Sequence, residues 1–246
     1  MARDVRELGG AWRDFQRHSF PEPSPDLARY VARYWVVSWD YPEPYRQLIV
    51  PYPNVHLTFQ DGRATITGVS SGHQVRVLSG RSSVLGVAFR PGCFRPFLRA
   101  PVSTITDRTI DAREVFGPAL TAPDVPAVEQ LLRAHAPEPD PRAEQAADIV
   151  AMIAAKPEIT RVDALAREFG TSIRQLQRLF AEHVGIGPKW VIRRYRLHEV
   201  TERMARGAEL DWASVAAELG YADQAHLTRD FKSLFGEPPT HHAQRY

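Results

Sequence analysis

The feature of this sequence that most constrains its fold is a helix, glycine, helix pattern that occurs twice. The second copy reads LGYADQAHLTRDFKSLFGEPP and begins at Leu219. Gly220 can end one helix in the left-handed conformation, and the Asp223 carboxylate can cap the next helix. Gly236 can end that second helix, and the prolines after it cannot continue one. The pattern predicts two short helices joined by a glycine turn.

The later helix of this copy has one apolar and one polar face. Its apolar positions fall at i, i+4, i+7 and i+8, which predicts a buried stripe formed by Leu227, Phe231, Leu234 and Phe235. The opposite face carries Ala225, His226, Arg229 and Lys232. We therefore expect one face to pack against the protein and the other to meet a partner.

The first copy of the pattern runs from Val162 to Val184. Its Arg178 lies fifty-one residues before Arg229, and the apolar neighbours keep the same offset. Ser172 followed three residues later by Gln175 predicts a capping box at the start of its second helix. The predicted buried stripe of this helix consists of Ile173, Leu176, Leu179, Phe180 and Val184. The side chains predicted to point outward are Arg174, Gln177, Arg178 and Ala181.

Helix, glycine turn, helix is the sequence form of a helix-turn-helix, in which the second helix enters the major groove of DNA. Two copies therefore predict two recognition helices and double-stranded DNA as the partner. The side chains predicted to read base edges are Arg174, Gln177, Arg178, Ala225, His226 and Arg229.

These residues resemble the AraC/XylS family of bacterial transcriptional regulators. The resemblance covers roughly residues 142–246, and GYADQAHLTRDFKSLFGEPPTHHAQR is similar to the family's C-terminal signature. It implies a seven-helix domain whose two helix-turn-helix units are joined by a central helix, here Pro188 to Arg206 with Gly207 as its stop. The sequence differs from many members at Arg174, where they carry a large or aromatic residue.

Charge alone gives little support to DNA binding. The net charge is +2, and residues 142–246 contain 15 Lys and Arg against 14 Asp and Glu. The placement of the cations is more informative, because six of them fall on the predicted central helix: Lys189, Arg193, Arg194, Arg196, Arg203 and Arg206. The predicted contacts to DNA phosphates are Lys189, Arg193 and Lys232.

The N-terminal half reads as β-rich. Residues 27–35 have helical spacing and predict a short helix that leads into a strand. Short β-branched segments separated by turn residues predict the strands that follow, at residues 48–50, 56–59, 64–67, 75–78 and 83–89. A short helix ending at Phe116 and a second helix over residues 126–135 complete this half. PEPDP at residues 137–141 predicts a stiff linker.

The expected fold is therefore α+β with two domains. Residues 1–136 form a β-rich, sandwich or barrel-like domain with flanking helices, and residues 142–246 form an all-α DNA-binding domain with helix-turn-helix units at 162–184 and 212–235. Residues 25–120 also resemble the N-terminal domain of an AraC-like subgroup. That resemblance implies a domain that senses a small molecule, forms a homodimer, or does both, and RNA polymerase is a further expected partner.

The residues for catalysis or metal binding are sparse. His56 and His73 are the only histidines of the strand region, and Cys93 is the only cysteine of the chain. The sequence contains no G-x-S-x-G, phosphate-loop or H-E-x-x-H motif. We expect no enzyme activity, no metal and no cofactor. The charged N-terminus and the absence of a long apolar run predict a cytoplasmic protein.

A small-molecule pocket is the remaining candidate site. Aromatic and polar residues on or beside the predicted strands could line it, namely Trp35, Trp39, Tyr52, His56 and Arg90. A plain hydrophobic core explains the same residues. Two hypotheses follow: a regulator controlled by an effector, and a regulator whose N-terminal half makes only protein contacts.

Overall fold

The computed structural model describes residues 11–118, 120, 124–206 and 210–245. The expected helix stop at Gly207 and the last residue, Tyr246, lie outside these ranges. The strands are β1 Gln16–Ser19, β2 Val31–Ile49, β3 His56–Gln60, β4 Arg63–Thr67, β5 Gln74–Phe89 and β6 Thr109–Asp111. The helices of the N-terminal half are α1 Ala11–Phe15, α2 Arg95–Leu98, α3 Arg113–Phe116 and α4 Val125–Ala134. Those of the C-terminal half are α5 Pro141–Ala155, α6 Val162–Glu168, α7 Ile173–Leu179, α8 Pro188–Ala205, α9 Trp212–Glu218, α10 Gln224–Phe235 and α11 Pro239–His242.

The N-terminal half is built on one antiparallel sheet with strand order β1-β2-β5-β3-β4-β6. Its two long strands, β2 and β5, pair from Val31 opposite Phe89 to Ile49 opposite Gln74. The segments at 48–50 and 75–78, which were predicted as separate strands, are therefore the far ends of this ladder. The ladder continues past the prolines of YPEPY because its register shifts between Tyr41 and Tyr45, where a missing proline N–H is tolerated.

The predicted helix at residues 27–35 is wrong. Residues 25–30 form turns, in which the Leu27 and Ala28 amides donate to the Ser24 carbonyl, and β2 begins at Val31. From there Tyr34 faces the core and Trp35 faces the other side of the sheet, which is the two-residue period of a strand. Pairing with β5 overrode the helical spacing of the apolar residues.

The two faces of the sheet are buried differently. One face packs against α2, α3, α4 and the short 3-10 turn Val102–Ile105, and its buried members include Tyr34, Leu57, Ile66, Val87 and Phe89. The middle of the β2–β5 ladder carries a second cluster formed by Trp39, Tyr41, Tyr45, Leu78 and Val84. The predicted helix over 126–135 is confirmed as α4, and its Val128 and Leu132 are fully buried in the first core.

The C-terminal half is all-α and has two cores that share one helix. Val191 and Ile192 near the start of α8 lie in the core of α5, α6 and α7. Leu197, Val200 and Met204 further along α8 lie in the core of α9 and α10. The predicted central helix is thus confirmed, and residues 136–140 between α4 and α5 have no regular secondary structure. Within the described residues, none of the helices is long and apolar enough to cross a membrane.

Gly68 provides a test of the packing between the sheet and the Val102–Ile105 turn. A Cβ atom at Gly68 would collide with the backbone carbonyl of Ile105, which cannot rotate away. We expect Gly68→Ala to lower the free energy of unfolding by about 2 kcal/mol or more. Gly72→Ala is the matched control, because the nearest atom to its Cβ would be the Ser233 carbonyl oxygen at 3.9 Å. Equal urea unfolding midpoints for the two variants would contradict this packing.

Candidate nucleic-acid interface

The second helix-turn-helix is formed by α9 and α10. The Asp223 carboxylate accepts a hydrogen bond from the His226 amide at 2.6 Å, and Gly236 ends α10 with a φ of 78°. The predicted stripe is confirmed, because Leu227, Phe231, Leu234 and Phe235 are all buried. Local capping and apolar spacing therefore set both the ends and the rotation of α10 about its own axis.

The first helix-turn-helix is formed by α6 and α7. Its capping box is confirmed, since Ser172 Oγ accepts from the Gln175 amide and the Gln175 side chain accepts from the Ser172 amide. Leu176, Phe180 and Val184 are buried and Leu179 is half-buried, but Ile173 is 43% exposed. Ile173 is the first residue of α7, so it lies ahead of the turns that contact the core. Its place in the predicted buried stripe is wrong.

The end of α7 differs from an ideal helix. The residues Phe180–Val184 form a π-helical turn, in which the Gly185 amide donates to the Phe180 carbonyl at 2.8 Å. Gly185 has a φ of 93°, which a residue with a side chain adopts only at a cost. A Cβ atom there would also press on Val102 of the N-terminal half at 2.8 Å. The first recognition helix therefore ends against the other domain.

The six side chains predicted to read bases are all exposed. On α7 these are Arg174, Gln177 and Arg178, and on α10 they are Ala225, His226 and Arg229. The His226 ring lies edge-on to Tyr221, with centroids 5.1 Å apart, so it is positioned by the turn before α10. Both recognition helices thus present a polar, partly cationic face to solvent.

The cations of α8 are mostly used inside the protein. Arg203 pairs with Glu199 at 3.0 Å and with Glu218 at 2.5 Å. The guanidinium of Arg196 lies 4.0 Å from the centre of the Tyr221 ring. The interpretation of this set as a DNA-facing cluster is therefore wrong for these two arginines, because neighbouring helices already hold their charges.

The predicted phosphate contacts on α8 and α10 differ in availability. Arg193 lies 3.7 Å from Asp230 of α10, with its side chain 29% exposed. Lys189 and Lys232 are exposed, and within the described residues neither has an ion-pair partner. The two lysines are therefore better placed than Arg193 to meet a DNA backbone.

Comparison with known proteins supports the assignment of these helices. A family model described as a helix-turn-helix domain matches residues 165–245. The HTH-type transcriptional regulator GlxA from Rhizobium meliloti (strain 1021) is 37% identical over 76 residues, which cover 31% of this chain and 23% of that protein. Residues 165–245 form an AraC-type helix-turn-helix domain. The chain spans less than a quarter of this relative.

The comparisons for the rest of the chain are more distant. A second family model, described as a domain of unknown function (DUF6597), matches residues 19–111. The structure of ToxT from Vibrio cholerae O395 aligns with 94% of this chain and 98% of its own, with a TM-score of 0.44 and 12% identity. The same protein bound to (E)-4-(8-methylnaphthalen-1-yl)but-3-enoic acid aligns with a TM-score of 0.43 and 12% identity, over 94% of this chain and 99% of its own. Structural similarity at this level does not indicate a shared function.

Arg194 of α8 contacts the N-terminal half, which contains the sheet, and so joins the AraC-type domain to it. Arg194 is 2% exposed, and its Nε donates to the Pro51 carbonyl at 2.6 Å. Its guanidinium lies 3.9 Å from the centre of the Tyr52 ring. Burial lowers the pKa of Arg194. The sequence placed this residue on the DNA-facing side, which is wrong, although its spacing from Val191 and Leu197 matches the apolar stripe of α8.

Further contacts join the AraC-type domain to the N-terminal half, and sequence reasoning missed all of them. Trp190 Nε1 donates to the Ser71 carbonyl at 2.8 Å. Arg95 pairs with Glu182 at 3.0 Å. No local pattern predicts such contacts, because each joins residues about a hundred positions apart.

The structure does not bring the five predicted pocket residues into one site. Trp35 and His56 are neighbours on the sheet, with ring centroids 6.2 Å apart. Trp39 belongs to the cluster in the middle of the β2–β5 ladder, and Tyr52 contacts the AraC-type domain. Arg90 donates to the Arg29 carbonyl at 3.3 Å. Of the five residues predicted to line a small-molecule pocket, only Trp35 and His56 therefore remain as candidates for one common site.

Among the described residues, no group of three or more His, Cys, Asp or Glu side chains could hold a metal ion. Cys93 is buried, and burial raises the pKa of its thiol to about 11. A thiol in this environment is a poor nucleophile at neutral pH.

The Arg194 contact predicts a difference between the full chain and its C-terminal part. Arg194→Ala removes the hydrogen bond to Pro51 and the contact with Tyr52, so we expect the full chain to lose about 3 kcal/mol of unfolding free energy. Arg206→Ala, on the exposed end of α8, should cost less than about 0.5 kcal/mol. In a fragment of residues 142–246, Arg194→Ala should cost much less than in the full chain, because Pro51 and Tyr52 are absent. Equal losses in the full chain and the fragment would show that Arg194 does not act through this contact.

Proposed function

We propose that this chain is a sequence-specific, DNA-binding transcriptional regulator whose recognition helices α7 and α10 enter successive major grooves. The observation that carries the proposal is the pair of exposed arginines, Arg178 and Arg229, at equivalent positions of two helix-turn-helix units joined by α8. Successive grooves on one side of a duplex lie about 34 Å apart. The shared helix supports simultaneous docking of both units.

The two reading faces differ in chemistry. Arg174, Gln177 and Arg178 on α7 offer amide and guanidinium donors, whereas α10 offers Ala225, His226 and Arg229. A single protomer should therefore prefer an asymmetric site over a palindrome. An arginine can donate two hydrogen bonds to the O6 and N7 atoms of guanine, so Arg178 and Arg229 are the proposed determinants of guanine at two separate positions.

The phosphate contacts in this proposal come chiefly from Lys189 and Lys232. Arg193 can join them only if its contact with Asp230 opens. Each neutralised phosphate releases condensed counterions, so the affinity should fall as salt rises, with a slope set by the number of phosphates contacted. Few cations are available, because the domain is barely basic and α8 uses most of its arginines internally. We therefore propose that base contacts carry a large share of the affinity as well as the specificity.

The two-groove arrangement predicts separable effects of Arg178→Ala and Arg229→Ala in a binding-site selection. Each substitution should cost about 1 to 3 kcal/mol of binding free energy and relax the preference at its own block of the site. Arg167→Ala, an exposed arginine of α6, is the matched control and should leave the selected sequence unchanged. Lys189→Ala should weaken binding to all sequences alike and reduce the salt dependence.

Two results of this selection would contradict the arrangement. In one, Arg178→Ala and Arg229→Ala lose preference at the same bases. In the other, neither variant changes the selected sequence.

We further propose that the N-terminal half binds a small-molecule effector. Its support lies at Trp35 and His56, where Trp35 Nε1 and His56 Nδ1 are buried without a hydrogen-bond partner among the described residues. Burial lowers the pKa of His56 to about 4, so its imidazole is neutral at pH 7. A ligand whose polar groups reach these two atoms would satisfy both of them. The alternative is an N-terminal half that makes only protein contacts.

Tryptophan fluorescence and thermal shift of the full chain, screened against small polar ligands, separate these two alternatives. We expect a ligand whose affinity falls about tenfold in Trp35→Phe, because that change keeps an aromatic ring but removes the indole N–H donor. Trp39→Phe is the control, since the Trp39 Nε1 already donates to the Ser79 carbonyl at 3.3 Å. A ligand that binds both variants equally would rule out this site, and a screen without hits would favour the alternative.

We also propose a homodimer, whose interface is not the apolar side of α4. Val128 and Leu132 of that helix are buried in the protein's own core, and Leu131 packs against it. The dimer, like the contact with RNA polymerase, therefore rests on the family resemblance alone.

A further inference from the structure

A cleft lies where the N-terminal half, the start of α5 and the first recognition helix meet. It has a volume of about 200 Å³. Its lining consists of Arg95, Asp140, Arg142, Arg178, Leu179, Glu182 and His183. Three of these residues, Arg142, Arg178 and Leu179, also line a second cleft of about 190 Å³ next to it. The cleft therefore touches a residue proposed to read DNA.

The charges of the cleft are only partly balanced. Arg95 pairs with Glu182 at 3.0 Å. The Asp140 carboxylate caps α5 by accepting from the Arg142 amide at 2.9 Å. Within the described residues, the side chains of Arg142 and Arg178 have no ion-pair or hydrogen-bond partner. Two guanidinium groups in one small cleft, beside the N-terminus of a 15-residue helix, favour an anion.

A buried imidazole at the same place also lacks a partner. His183 is 3% exposed, and its Nδ1 has no hydrogen-bond partner among the described residues. The nearest carboxylate oxygen recorded for Nδ1 belongs to Asp140, at 3.8 Å, which is too long for a hydrogen bond. Leaving a buried ring nitrogen unsatisfied costs free energy. A ligand that reaches the base of the cleft would recover that free energy.

We propose that this cleft binds a small organic anion with a carboxylate or phosphate group, held by Arg142 and Arg178 above His183. The volume is below that of pockets for drug-sized ligands, which indicates a compact metabolite. The bound anion would hold the guanidinium of Arg178 and so compete with DNA for it. This second step rests on the proposed function of Arg178 as a base-reading residue.

A DNA phosphate is a poorer fit to the whole cleft. A duplex could reach the exposed Arg142 and Arg178, but not the buried His183. The carboxylates of Asp140 and Glu182 on the same lining would repel a polyanionic backbone more than a single small anion. The lining also includes Arg95 of the N-terminal half. A recognition helix needs no such residue to bind DNA, so the presence of Arg95 favours a small ligand.

The coupling between the anion and DNA must be reciprocal. If the anion weakens DNA binding by some factor, DNA weakens anion binding by the same factor. The cleft would thus act as a site through which an acidic metabolite releases the regulator from its operator.

The test uses the full chain, with inorganic phosphate and succinate as probes and chloride exchanged to keep ionic strength constant. Binding is followed by NMR shifts of the His183 ring and by calorimetry. We expect Arg142→Gln to weaken binding about tenfold or more, because one charge-assisted contact is lost. Arg142→Lys should recover part of the affinity, since it keeps the charge but not the planar fork. Arg167→Gln removes the same charge from α6, outside the cleft, and should leave the affinity unchanged.

A second arm measures DNA affinity with and without the probe that binds. Weaker DNA binding in the presence of the probe, absent in Arg142→Gln, supports the proposal. It is overturned if neither probe binds at tens of millimolar, or if Arg142→Gln binds them as the unaltered chain does. Loss of DNA affinity in Arg142→Gln with no probe binding would identify a contact for DNA phosphate instead, and would leave the DNA-binding function standing. Probe binding to a chain that selects no DNA sequence would contradict the proposed function and not the anion site.

Discussion

The arrangement of this protein depends on one buried contact, the hydrogen bond from Arg194 to the Pro51 carbonyl with the Tyr52 ring against the guanidinium. Removing a guanidinium from water is costly, and the Pro51 carbonyl and the Tyr52 ring offset part of that cost. Arg194 lies in the middle of α8, between the apolar residues of the two helix-turn-helix cores. One side chain therefore links the sheet to the helix that joins both DNA-binding units.

The consequence is a short physical route from the sheet domain to the recognition helices. Trp190 bonds to Ser71 one turn before Arg194, and Gly185 packs against Val102 just after α7. A conformational change in the sheet would therefore move the residues where α7 ends and α8 begins. These contacts supply a mechanical connection, and coupling along it requires that the interface have two arrangements of similar free energy.

The distribution of charge follows from the same packing. Arg194, Arg196 and Arg203 of α8 are occupied by Pro51, Tyr221 and the carboxylates of Glu199 and Glu218. Few cations remain to contact DNA. One of them, Arg178, lines a cleft together with Arg142 and the buried His183, whose Nδ1 has no hydrogen-bond partner among the described residues. A domain with so little surplus positive charge is sensitive to anything that occupies one arginine.

Local sequence determined the two helix-turn-helix units almost completely. Capping by Ser172 and Asp223, the glycine stops and the apolar spacing act within one or two helical turns, so they could be predicted without the fold. The π-helical turn after α7, the merging of short segments into β2 and β5, the turn at residues 25–30 and the burial of Arg194 could not be predicted in this way. Each depends on partners far away in the chain, and a local pattern cannot show whether an arginine on a helix meets solvent, DNA or a distant carbonyl. The sequence alone thus determined the DNA-binding elements, and tertiary structure decided which of their charges remain available, because burial is a property of the assembled cores.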